Sequence, residues 1–229
     1  MAAIATNRHG LRRCRVNSLL IVCVLLASTT AGQSSIGLES KSADSNSAHA
    51  PLATGLFRWR VSPPLLAVDL KRLPPSPGQE WLAIKDPSIV RCEGQWHLFC
   101  TLRKESEGDG RIRIGYLTFK EWSDAPNADW NVLNLTMGYH GAPQIFYFEP
   151  HRKWYLVYQA EDENRGLKYG PCFSTNDDIA NPAGWTLPEP LFVVRQGAKA
   201  GLDYWVICDD ETAHLFFTTL DGRMWRAET

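Results

Sequence analysis

No surplus of either charge marks this chain. Across 229 residues, 24 Lys and Arg stand against 25 Asp and Glu, for a net charge of −1. Without a basic excess to neutralise phosphates, nucleic acid is excluded as the expected partner. No Gly-x-Ser-x-Gly or His-Glu-x-x-His motif occurs, which removes the serine-hydrolase and zinc-protease readings. No apolar run approaches the ~20 residues that span a bilayer. No long stretch carries the 3.6-residue periodicity of an amphipathic helix. The six histidines are scattered, and His97 and His214, inside alternating apolar runs, read as structural. What the chain does have is aromatic character, at 11%, with nine Trp and only three Met. Together with 44% hydrophobic residues, this rules out a disordered chain. It provides for a packed core, or for flat surfaces on which sugars stack.

The N-terminus is organised for export. Arg8, Arg12, Arg13 and Arg15 precede the nine-residue apolar run Leu19 to Ala27, and small residues follow to Gly32. This is the build of a secretory signal peptide over residues 1–31, cleaved after Ala31, with an uncleaved anchor as the rival reading. The expected location is extracellular or periplasmic, with no membrane association after cleavage. Residues 32–55, rich in Ser and Ala, read as a disordered linker. The fold, residues 56–229, is expected to start near Phe57 and Trp59. Cys92, Cys100, Cys172 and Cys208 remain after the signal; three pairings are open, and none has the close spacing of a zinc site. They read mainly as small core residues, with a disulfide open to them after export.

A repeat then emerges. Asp86-Pro87-Ser88-Ile89-Val90-Arg91-Cys92, a turn at Glu93-Gly94, and Gln95-Trp96-His97-Leu98-Phe99 form one unit. Ala142-Pro143-Gln144-Ile145-Phe146-Tyr147-Phe148 followed by Lys153-Trp154-Tyr155-Leu156-Val157-Tyr158 form a second. Asp203-Tyr204-Trp205-Val206-Ile207-Cys208 followed by Ala213-His214-Leu215-Phe216-Phe217 form a third. Each is an apolar strand, a polar turn and an aromatic-rich strand. Units 56 and 61 residues apart, built from short strands, predict an all-β propeller with one unit per blade rather than a sandwich. About three blades fit the chain, fewer than the ~4–8 that normally close a ring.

Asp86, Ala142 and Asp203 open equivalent strands, so two carboxylates from different blades are expected at one rim. Paired carboxylates across a sugar-sized gap are the machinery of glycoside hydrolysis. The plainer alternative is that each Asp caps a turn.

The motifs Ile84-Lys85-Asp86-Pro87-Ser88, Ala142-Pro143-Gln144-Ile145-Phe146-Tyr147-Phe148, Lys153-Trp154-Tyr155-Leu156-Val157-Tyr158-Gln159 and Asp203-Tyr204-Trp205-Val206-Ile207-Cys208-Asp209 resemble glycoside hydrolase family 62. So do Phe119-Lys120-Glu121-Trp122-Ser123 and Ser174-Thr175-Asn176-Asp177-Asp178-Ile179. The resemblance implies a five-bladed propeller and a secreted, monomeric α-L-arabinofuranosidase acting on hemicellulose, arabinoxylan or arabinan, with inversion. It implies Asp86 as general base and Asp203 as the second carboxylate, with Lys85, Gln144, Tyr139 and Trp205 contacting the sugar. It requires no cofactor, and allows calcium only in the full-length fold. The family's general acid lies downstream of Arg226-Ala227-Glu228-Thr229, so this chain alone is expected to hydrolyse little or nothing.

Two other functions are weighed: a family 43-like xylosidase or arabinanase, disfavoured by the Trp205-to-Asp209 run, and a non-catalytic sugar-binding fragment using Trp81, Tyr139 and Trp205. A chain that does not fold stably is a further alternative. Asn134-Leu135-Thr136 is a glycosylation sequon for a eukaryotic host, and Gly108-Asp109-Gly110 reads as a hairpin turn.

Overall fold

The computed structural model describes residue 55 and residues 59–75, 80–105, 110–192, 201–209 and 212–229. The expected signal segment, Cys14, Cys23, nearly all of the linker, Gly108-Asp109 and Asp210-Glu211 lie outside the described residues. Residues 64–229 fall in one compact unit. Trp59, expected at the start of the fold, is 89% exposed, and Val61 is 98% exposed. Packing begins later, with Leu65, Leu66 and Val68. Pro63-Pro64 separates the two stretches, since neither proline has an N–H to donate to a sheet.

Within residues 64–229, apolar runs punctuated by tight turns fold into three antiparallel sheets. The first has β1 (Trp81–Cys92), β2 (Gln95–Lys104), β3 (Ile112–Phe119) and β4 (Asn131–Val132), in that order. The second has β5 (His140–Phe148), β6 (Lys153–Asp162), β7 (Leu167–Asn176) and β8 (Glu189–Pro190). The third has β9 (Leu202–Cys208), β10 (Ala213–Thr219) and β11 (Arg223–Glu228). The turns match the residues in them. Cys92 faces Gln95, so Glu93-Gly94 is a two-residue loop, with φ of 49° and 81°. Both central residues at positive φ make the type I′ turn that matches strand twist.

Each sheet is a meander, and β5 packs against β1, β2 and β3 while β9 packs against β5 and β6. The leading strands of successive sheets are therefore neighbours, as in propeller blades around a hub. The described residues form three such blades and no closed ring. One apolar layer, with Phe99, Ile114, Tyr116, Ile145, Trp154, Leu156 and Tyr158, fills the space between the first two sheets. A second, with Val157, Tyr204, Leu215, Phe173 and Phe217, joins the second sheet to the third. The other face of the first sheet is covered by Leu65, Leu66, Val68 and Leu73, together with Ala125 from a 3-10 turn at Trp122–Asn127.

His97 is buried and bonds through Nδ1 to the Tyr116 hydroxyl at 2.8 Å, a core role. Cys100 and Cys172 are buried and free, and Cys208 is exposed and free. None of the three pairings among these four cysteines is therefore formed. Burial raises the Cys100 thiol to about 12, with the Asp86 charge adding to it.

Candidate active site

The leading strand of every blade carries the same defect. Lys85 pairs with Thr101 and Ser88 with Phe99, so Asp86-Pro87 stands opposite the single residue Cys100. Gly141 pairs with Gln159 and Gln144 with Val157, leaving Ala142-Pro143 opposite Tyr158. Leu202 pairs with Thr218 and Trp205 with Phe216, leaving Asp203-Tyr204 opposite Phe217. Two residues against one is a β-bulge, which bends the strand and re-aims a side chain. The bulges fall at the three repeat positions, Asp86, Ala142 and Asp203.

At two of them the backbone leaves the ordinary strand region. Asp86 has φ 51° and Asp203 φ 56°, the left-handed conformation that only Gly, Asn and Asp visit readily. Holding a non-glycine residue there costs on the order of 1–3 kcal/mol, and such strain concentrates at functional positions. Both Asp side chains are exposed, and Lys85 is exposed beside Asp86. The Asp203 carboxylate lies 3.5 Å from the Thr218 hydroxyl that can donate to it.

Tyr139, just before β5, lies in the field of both carboxylates. Burial holds its hydroxyl above the usual range; a hydrogen bond with Tyr169 opposes this, Asp86 raises it further, Arg111 opposes, and Asp203 raises it again. Two acids on different sheets thus act on one phenol. The loop carrying Tyr139 is tied down on both sides. Arg113 donates to the carbonyls of Met137 and Gly138, and Glu161 N–H donates to Tyr139 O at 3.0 Å. The Tyr139 and Tyr169 rings meet edge to face, 5.3 Å between centroids. Tyr204, next to Asp203, is buried and its hydroxyl is raised to about 12, chiefly by burial.

The close approach of the first two sheets depends on Gly141. A Cβ there would stand 2.8 Å from Ile112 Cγ2 and 3.1 Å from Thr101 Oγ1, so a larger residue would push the blades apart.

The other expected sugar contacts divide. Trp205 is 51% exposed on β9, an open indole face. Gln144 is buried, and its amide is turned to the neighbouring sheet: Nε2 donates to Val206 O at 2.7 Å, and Oε1 accepts from Val206 N–H at 2.6 Å. In place of the expected sugar contact, its polar ends brace two strands. Tyr169 and Arg111 were not singled out from the sequence. Nothing local marks either; they reach Tyr139 only through the fold. Among the described residues, no group of three or more His, Cys, Asp or Glu side chains is placed to hold a metal ion.

Comparison with known proteins adds an independent line. The family model described as glycosyl hydrolase family 62 matches residues 73–229. The chain is 35% identical over 175 residues to alpha-L-arabinofuranosidase C of Cellvibrio japonicus, covering 76% of this chain and 24% of that protein. Among solved structures, the catalytic domain of a Coprinopsis cinerea GH62 alpha-L-arabinofuranosidase superposes with a TM-score of 0.60 at 36% identity, over 76% of this chain and 52% of that one. An alpha-L-arabinofuranosidase from Podospora anserina, solved with cellotriose, gives 0.55 at 36% identity over 68% of this chain and 49% of that one. The chain spans about half the length of these solved relatives.

Proposed function

The chain belongs to glycosyl hydrolase family 62, and from that premise we propose that residues 64–229 supply the sugar-binding rim and two of the carboxylates of an inverting α-L-arabinofuranosidase. The substrate is an arabinofuranosyl side group on arabinoxylan or arabinan. A solved family 62 hydrolase in complex with xylotriose supports a xylan backbone as its carrier. The observation that carries the reading is that Asp86 and Asp203 occupy the same left-handed bulge position in the leading strands of separate blades.

Each group then has a task. Asp86 takes a proton from a water that attacks the anomeric carbon on the face opposite the leaving oxygen. Asp203 orients the sugar and stabilises positive charge developing at the ring. Tyr139, protonated at neutral pH as any tyrosine is, donates a hydrogen bond between the two acids. Lys85 contacts the sugar beside Asp86, and Trp205 offers a stacking face. The leaving oxygen takes its proton from water, a transfer that a general acid would typically speed by ~10²–10⁴-fold. The protein acts as an exported monomer, with residues 1–31 removed.

The test is a titration of the 229-residue chain with arabinosyl-substituted xylo-oligosaccharides, with NMR detection of any arabinose released. Saturable binding is expected, weakened roughly tenfold or more (~1.4 kcal/mol) by Asp203→Ala and by Trp205→Ala. Any arabinose is expected to appear first as the inverted β anomer. Binding indifferent to both substitutions, or an α anomer formed first, would overturn the reading.

A further inference from the structure

We infer that Ser88 and Gln144 are positioning residues, which tie the two Asp-bearing bulges to consecutive residues of β5 and thereby set the spacing of Asp86 and Asp203. The functional meaning of that spacing rests on the reading above; the ties themselves do not.

The geometry is paired. Ser88 sits two residues after Asp86 and is 7% exposed; its hydroxyl accepts from Ile145 N–H at 3.0 Å. Gln144 is 5% exposed, and its amide takes both backbone groups of Val206, three residues after Asp203. Both ties land on the segment just beyond β5's own bulge, at Gln144 and Ile145. The three bulges therefore share one anchor, reached across 57 and 62 residues of chain.

Apolar contact between sheets tolerates sliding, because dispersion has little directional preference. Hydrogen bonds to a chosen backbone group do not, since they weaken steeply with misalignment. Gln144 mimics a strand partner, offering one donor and one acceptor to a single residue. Buried groups deprived of such partners carry a desolvation penalty, so slipped registers are disfavoured. For chemistry the gain is geometric: a misplacement of ~1 Å at a reacting pair can cost on the order of 10²-fold in rate.

Tyr139 provides the reporter, because its hydroxyl feels both acids. With 3,5-difluorotyrosine at position 139 of the full chain, fluorine NMR follows the ionisation of this phenol under mild conditions. Asp86→Asn and Asp203→Asn should each lower its midpoint. In a Gln144→Ala background the effect of Asp203→Asn should be largely lost and that of Asp86→Asn kept. Ser88→Ala should do the reverse, and Ser88→Thr, which keeps the hydroxyl, should restore the native response. Should Gln144→Ala fail to fold, Gln144→Met keeps the length of the side chain, adds no charge and removes both bonds to Val206; it should show the same loss. If both acids retain their full effect in a folded Gln144 variant and in Ser88→Ala, the inference is overturned. No sugar enters this measurement, so a failure of oligosaccharide binding alone would sink the functional reading and leave the ties standing.

Discussion

Asp86 and Asp203 hold left-handed backbone angles that the sequence around them does not advertise. A carboxylate there is a compromise: Asp tolerates positive φ better than most residues, yet less well than Gly. The compromise separates function from stability. Asp86→Gly suits the angle and loses the acid, so relief of strain and added freedom in the unfolded chain should roughly cancel, leaving stability within ~1 kcal/mol. Asp86→Val, β-branched, should destabilise by about 1–2 kcal/mol. Both should weaken binding by a similar factor in the oligosaccharide titration assays, because both lose the acid. Chemical denaturation beside those assays checks the pair; equal stability losses would mean that the angle at Asp86 is not what distinguishes them.

At the scale of strands, the repeat was readable because strand patterning is local: apolar alternation, a turn and an aromatic second strand recur in all three hairpins. The bulges were not, because a two-against-one mismatch is a property of a strand pair and is invisible in one strand. Gln144 shows the same limit. The resemblance to family 62 implied a sugar contact for it, while its partner Val206 lies 62 residues away. Burial likewise follows tertiary position within similar strands. Leu156, in the central strand β6, is fully buried, whereas Ile207 on β9 is 53% exposed. Leu156→Ala should cost ~2–5 kcal/mol and Ile207→Ala well under half of that, as measured by the shift in denaturation midpoint.

Over the whole molecule, His140 makes cohesion between the first two blades sensitive to acid. Its ring is fully buried, and Nδ1 accepts from Ile114 N–H at 3.1 Å, so the neutral form links the sheets. Burial, and then the Arg113 charge, hold it well below its ordinary 6.5; His97 is also lowered, mainly by burial. The unfolded chain therefore binds more protons as pH falls through 6.5, and stability drops by up to about 1.4 kcal/mol per pH unit for each histidine. His140→Gln, whose amide oxygen can still accept from Ile114, should flatten part of that decline in melts between pH 7 and 5. An unchanged slope would locate the acid sensitivity elsewhere.

Periodicity and turn residues by themselves determined an all-β chain and its repeating hairpins, and the resemblance of its motifs pointed to its family, because each is written within a few consecutive residues. Only the tertiary structure decided that Asp86 and Asp203 act on one hydroxyl, that Gln144 braces strands, and that Tyr169 and Arg111 join the site. Those outcomes depend on how separate sheets meet, and hydrogen-bond register and electrostatic fields act through space rather than along the chain.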